Sequence, residues 1–180
     1  MYRNRQCNCS CECNQVDAIE DIQRSICKIK AGIKDIQNGL NDICCCRISE
    51  GIKCIENGLC KAKKGLDDVI EGLKDFEFEC DYRSNTGIKD GVCGIKDGVK
   101  GVQEGLCDLQ NGCLCEGIVN VREGLQDLEE GLCNLIKGVS DINDQREKRR
   151  KNKGCEICPG TACENRYDEI CGCFGTDYKI

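Results

Sequence analysis

The chain reads as an all-α protein: a duplicated helical hairpin forming an antiparallel four-helix bundle, with cysteine-rich N- and C-terminal tails. Three observations predict this. Aliphatic residues recur at alternating spacings of three and four, the a and d positions of a heptad. Glycine returns at one phase of that heptad. The whole pattern then repeats at an offset of 66 residues.

The heptad is clearest over residues 116–142, EGIVNVREGLQDLEEGLCNLIKGVSDI. Ile118, Leu125, Leu132 and Val139 take position a, and Val121, Leu128, Leu135 and Ile142 take position d. Gly117, Gly124, Gly131 and Gly138 precede each a residue and fall at g. A strand would need a period of two, which is absent here. There are 17 glycines between Gly32 and Gly138. At about 1 kcal/mol each relative to alanine, they cost the helices on the order of 15 kcal/mol. Close approach of a neighbouring backbone is the expected reason for them. The glycines assigned to such packing are Gly32, Gly39, Gly51, Gly58, Gly65, Gly72, Gly91, Gly98, Gly105, Gly117, Gly124, Gly131 and Gly138.

In chain order, residues 1–15 form a polar arm carrying Cys7, Cys9, Cys11 and Cys13. Hairpin repeat 1 occupies residues 16–79. Its stripe runs through Ile22, Ile26, Ile29, Ile33, Ile36, Leu40 and Ile43, and resumes with Ile52, Ile55, Leu59, Ala62, Leu66, Val69, Leu73 and Phe76. From Leu40 to Ile52 is 12 residues rather than 14. At ~100° per residue a continuous helix would swing its stripe roughly 150° off course, so a turn is expected near residues 44–50, with Ser49 as N-cap. Residues 80–86, CDYRSNT, break the pattern as a connector. Hairpin repeat 2 spans 87–145: Ile22 matches Ile88, Leu40 matches Leu106, and Gly58, Gly65 and Gly72 match Gly124, Gly131 and Gly138. Its first helix adds Gly87, Gly94 and Gly101 at position c, away from the a/d seam. Such glycines predict either a second close approach, by another subunit, or a helix that frays. Residues 146–153, REKRRKNK, form a basic linker, and residues 154–180 a cysteine-rich tail.

Composition limits function. The net charge of −6 argues against wholesale nucleic-acid binding. With no histidine, the commonest general base and metal ligand are missing. No P-loop or dinucleotide fingerprint is present. The chain is therefore read as no enzyme, with no cofactor. No apolar run reaches signal-peptide or membrane-spanning length, and no membrane role is expected.

The 21 cysteines dominate what remains. Antiparallel helices of about 28 residues give a rod ~42 Å long, with both hairpin tips at one end. The tips bring Cys44, Cys45, Cys46, Cys113 and Cys115 together. The other end collects Cys80 and the tails, with Cys7, Cys9, Cys11, Cys13, Cys155, Cys158, Cys163, Cys171 and Cys173. All of these are candidates for intermolecular disulfides. Cys113 is also a candidate for a core position. Along the shaft Cys27, Cys60, Cys93, Cys107 and Cys133 take position b and Cys54 position c, flanking the helices off the seam. The odd total rules out complete pairing within one chain.

This sulfur has two candidate uses. One is a structural subunit joined to its copies by disulfides into a filament or lattice; the bonds, at roughly 2–4 kcal/mol each, would also offset the glycine cost. The other is thiolate metal binding: zinc or copper held by the tails, with Cys155, Cys158, Cys171 and Cys173 as an all-thiolate set. A partner-helix adaptor has no support beyond amphipathicity. Chains so rich in cysteine usually live in oxidising places, yet no export signal is read here. In this combination the chain resembles the cysteine-rich structural proteins of bacterial spore coats and exosporia, including surface appendages. The resemblance is compositional and transfers no residue roles. It implies self-association, other cysteine-rich layer proteins as possible partners, and a spore surface or extracellular layer as the location.

Overall fold

The computed structural model describes residues 9–77 and 86–152, with side-chain environments from Ala18 to Lys74 and from Thr86 onward to residue 148, apart from Arg146. Four helices follow one another: α1 Cys9–Cys44, α2 Ile48–Glu77, α3 Thr86–Gln110 and α4 Leu114–Asn152. No strand occurs among the described residues. The expected all-α architecture of helical hairpins packed into a bundle is what the chain adopts.

The helix limits differ from the sequence reading at both ends. α1 begins at Cys9, inside the stretch read as an arm. α4 continues to Asn152, through most of the basic run read as a linker. The bundle belongs to the compact unit Met1–Asp141.

Within the bundle the d layer is the driest. Ile29, Ile36, Ile55, Ala62, Val69, Ile95, Val102, Val121, Leu128 and Leu135 are completely buried. The a residues Ile33, Leu40, Leu59, Leu66, Val99, Leu106 and Leu125 are buried but lie nearer the surface. Position d stands between a and g on the helix circumference. Small residues at g let the hairpin partner in on that side, which moves the centre of burial from the a/d seam toward d and g.

The g residues pair across each hairpin. A Cβ placed on Gly32 would stand 2.5 Å from the Gly58 carbonyl oxygen, and one on Gly58 2.5 Å from that of Gly32. Gly39 and Gly51 oppose each other in the same way, at 2.6 and 2.5 Å. In α3 and α4, Gly98 opposes Gly124 and Gly105 opposes Gly117. The helix backbones are thus in direct contact, closer than the side-chain-mediated spacing of about 8–10 Å usual for packed helices. α1 extends the series with Ala18 and Ser25 at g, opposite Gly72 and Gly65. Ser25, only 3 % exposed, resolves its buried hydroxyl by donating to the Asp21 carbonyl at 2.7 Å.

The c-position glycines correct the expectation of a second subunit or a frayed helix. A Cβ on Gly94 would lie 2.9 Å from Gly131 Cα, and one on Gly101 2.9 Å from Gly124 Cα. The close neighbour is α4 of the same chain. The first hairpin fills the corresponding rows with ion pairs instead. Lys28 Nζ lies 2.6 Å from Asp68 Oδ2, and Lys61 Nζ 2.6 Å from Asp35 Oδ2. Thus the duplicated hairpins share the g contact and differ in what lines it.

The two hairpins meet along their e positions. Lys63 donates to Gln103 and Gln110 to Glu56 between α2 and α3; Gln37 donates to Glu129 between α1 and α4. The helices therefore follow one another around the bundle, and the two hairpin tips share an end, as Arg122 near Cys44 also requires.

Candidate functional site: hairpin tips and exposed thiols

Each tip is a helix end closed by its own backbone. After α1, Cys46 N–H donates to the Ile43 carbonyl at 2.9 Å and Arg47 N–H to the Asp42 carbonyl at 2.9 Å, with Cys46 left-handed at φ 65°. This is the paired 5→2 and 6→1 closure that satisfies the last carbonyls of a helix. After α3 the same closure recurs. Gly112 N–H donates to Leu109 at 3.2 Å and Cys113 N–H to Asp108 at 2.9 Å, with Gly112 at φ 85°. The turn expected near 44–50 is there, but Ser49 is not its N-cap. Gly51 N–H donates to the Arg47 carbonyl at 2.9 Å, so Arg47 is the capping residue and Ser49 already lies inside α2. Arg47 also forms an ion pair with Asp42. That hydrogen bond, and then the charge of Asp42, hold its guanidinium above its ordinary pKa.

The tip thiols stand in solvent. Cys44, Cys45, Cys46, Cys113 and Cys115 are all exposed and free. The possible core role for Cys113 is therefore overturned: it caps α4 at the surface instead of entering the stripe. Arg122 Nη2 lies 3.9 Å from Cys44 Sγ, so one thiol of the first tip sits beside a cation from the second hairpin. Two apolar residues that the sequence reading left unremarked share this end: Ile48, 37 % exposed, and Val119, 50 % exposed. Val119 at position b of an otherwise polar row was the available signal.

Along the shaft, Cys60, Cys93, Cys107 and Cys133 are exposed free thiols, as their b positions predict. Cys27 is half-buried. Cys54, at c, is half-buried too and its Sγ lies 3.9 Å from Asp42 Oδ2. Asn111 Nδ2 lies 3.5 Å from Cys107 Sγ. All thirteen g glycines assigned to close packing are buried against a neighbouring helix.

Cys9, Cys11 and Cys13 lie within the first turns of α1. Cys7, Cys80, Cys155, Cys158, Cys163, Cys171 and Cys173 fall outside the described residues, and with them the proposed all-thiolate metal set. Among the described residues, no three histidine, cysteine or acidic side chains gather as a metal cage. None of the described helices is long and apolar enough to cross a membrane.

No family model, no curated protein and no solved structure matches the chain.

Proposed function

We propose that this protein is a structural, non-catalytic subunit that assembles with its own copies through disulfides into an extended filament or lattice. One observation carries the reading: the aliphatic core is closed without sulfur, while nine free thiols stand exposed at the tips and along the shaft. A thiol kept for packing belongs in the interior, where cysteine behaves as a small hydrophobe. Thiols held in solvent on rigid helices are available to other chains. Contacts between unlike ends propagate without closing, so tips joined to tails would give an open polymer. The compositional likeness to spore-coat and exosporium proteins suggests a spore surface or extracellular layer, with other cysteine-rich layer proteins as further partners.

The test is direct. The full chain is purified under reductant, oxidised with a glutathione redox buffer, and run on denaturing gels with and without reductant. A ladder of multimers that collapses on reduction is expected. A product that stays monomeric after oxidation would overturn the assembly reading. Elemental analysis of the unoxidised protein tests the other use of the tail cysteines: zinc or copper near stoichiometric with the chain would reassign them.

A further inference from the structure

Two hydrogen bonds set the register between α2 and α3. Lys63 Nζ donates to Gln103 Oε1 at 2.6 Å, and Gln110 Nε2 donates to Glu56 Oε1 at 2.6 Å. On α2, Cys60 lies between Glu56 and Lys63; on α3, Cys107 lies between Gln103 and Gln110. The two thiols therefore stand at one level of the bundle, one on each side of a single seam, and both are exposed. One heptad farther from the tips, the same register sets Asp67 level with Lys100, both exposed.

The α1–α4 side lacks this arrangement. There the register follows from Gln37 on Glu129 and Arg122 on Cys44. Cys133 falls level with the turn of α1 between Lys30 and Gln37, whereas Cys27 lies beyond Lys30. The thiols on that side are out of step.

We propose that the α2–α3 face is a self-complementary docking surface for a second copy of this chain, sealed by two disulfides. A two-fold axis parallel to the helices lays α2 of one copy over α3 of the other. Cys60 then meets the partner's Cys107, and Cys107 meets the partner's Cys60. The same operation sets Asp67 against the partner's Lys100, again twice. A pair of opposite charges and a pair of thiols, each level across one seam, is what makes the face match itself. The exposed ion pairs contribute little affinity and set orientation; the covalent bonds supply persistence. The proposal rests on the assembly reading above and names the lateral contact within it, leaving tips and tails for end-to-end contacts.

The bond-forming chemistry is thiol–disulfide exchange with a low-molecular-weight disulfide such as oxidised glutathione. The Cys60 thiolate attacks one glutathione sulfur, the glutathione S–S bond breaks, and one glutathione thiolate leaves. The thiolate of the partner's Cys107 then attacks Cys60 Sγ in the mixed disulfide, forming the interchain bond and releasing the second glutathione. For each bond, two protein thiols are oxidised and one glutathione disulfide is reduced to two thiols.

Peptide mapping of the oxidised full chain tests this, using an equal mixture of isotope-labelled and unlabelled protein. The expected product is a Cys60–Cys107 disulfide peptide containing both isotopes, lost in C60S and in C107S. Multimers without this peptide would overturn the proposal and leave the assembly reading standing. A Cys60–Cys107 peptide that never mixes isotopes would be an intrachain bond and would also overturn it. Absence of any multimer would remove both. A charge swap checks orientation: K100D should slow formation of this bond on the order of fivefold, as two exposed like-charge contacts would. The double variant D67K/K100D should restore it; failure to restore would overturn the parallel two-fold arrangement.

Discussion

Cys46 and Gly112 occupy the same place in the two hairpins, the left-handed residue that ends the first helix of each. Glycine takes that conformation freely, and a residue with a Cβ takes it at a cost of about 1–2 kcal/mol. Cys46→Gly is therefore expected to raise stability by about 1 kcal/mol, and Gly112→Ala to lower it by a similar amount. Urea midpoints measured under reductant check both. A cysteine at this costly position fits a use for its thiol outside the fold. The cap was the part of the tip that the sequence obscured. Ser49 is a favoured capping type, yet the backbone closure that starts at Asp42 places the cap at Arg47. Residue preference names a candidate, and the geometry of the preceding helix end decides where the next helix starts.

At the scale of a helix pair, the buried glycines trade intrinsic helix preference for backbone contact. A Cβ on Gly98 would stand 2.5 Å from the Leu128 nitrogen and 2.6 Å from the Gly124 oxygen, and backbone cannot move aside as a side chain can. Gly98→Ala should therefore destabilise by about 1–3 kcal/mol through overpacking, even though alanine favours a helix by about 1 kcal/mol. Exposed Asn38→Ala is the control, expected to be neutral or slightly stabilising in the same thermal melts. The heptad phase alone makes the a, d and g rows legible, and with them the antiparallel pairing of each hairpin. It does not make Gly94 and Gly101 legible. Periodicity tells which side of a helix a residue is on, but not how far the partner helix wraps around it. With glycine at g on both helices, α4 comes near enough to cover position c as well. Likewise Ala18 and Ser25 continue the small-residue row of α1, where glycine periodicity gives no sign of them.

At the scale of the whole bundle, the core and the exposed thiols are separate systems among the described residues. The buried aliphatic residues, with small residues at the helix contacts, form the bundle without any exposed thiol taking part. Far-UV circular dichroism should accordingly be unchanged by reductant, and a variant with serine at the eleven described tip and shaft cysteines should keep its helicity. Loss of helix on reduction would mean that disulfides, rather than backbone contact, offset the glycine cost. The exposed ion pairs Lys28–Asp68 and Lys61–Asp35 should matter little. Raising salt to about 1 M should change stability by no more than about 1 kcal/mol. The fold class and the exposure of Cys60, Cys93, Cys107 and Cys133 were legible because both follow from one heptad phase, whereas Cys27, also at b, is half-buried. The shared level of Cys60 and Cys107 was not, since it depends on the register between hairpins, which the Lys63–Gln103 and Gln110–Glu56 hydrogen bonds set.

The mutual pairing of small residues along each hairpin has one more consequence. Because every such contact recurs after seven residues, a matched heptad spliced into both arms of each hairpin restores all of them in the longer chain. Each such addition lengthens the rod by about 10 Å. The reach of the bundle is thus a stepwise quantity, adjustable by copying a short sequence unit.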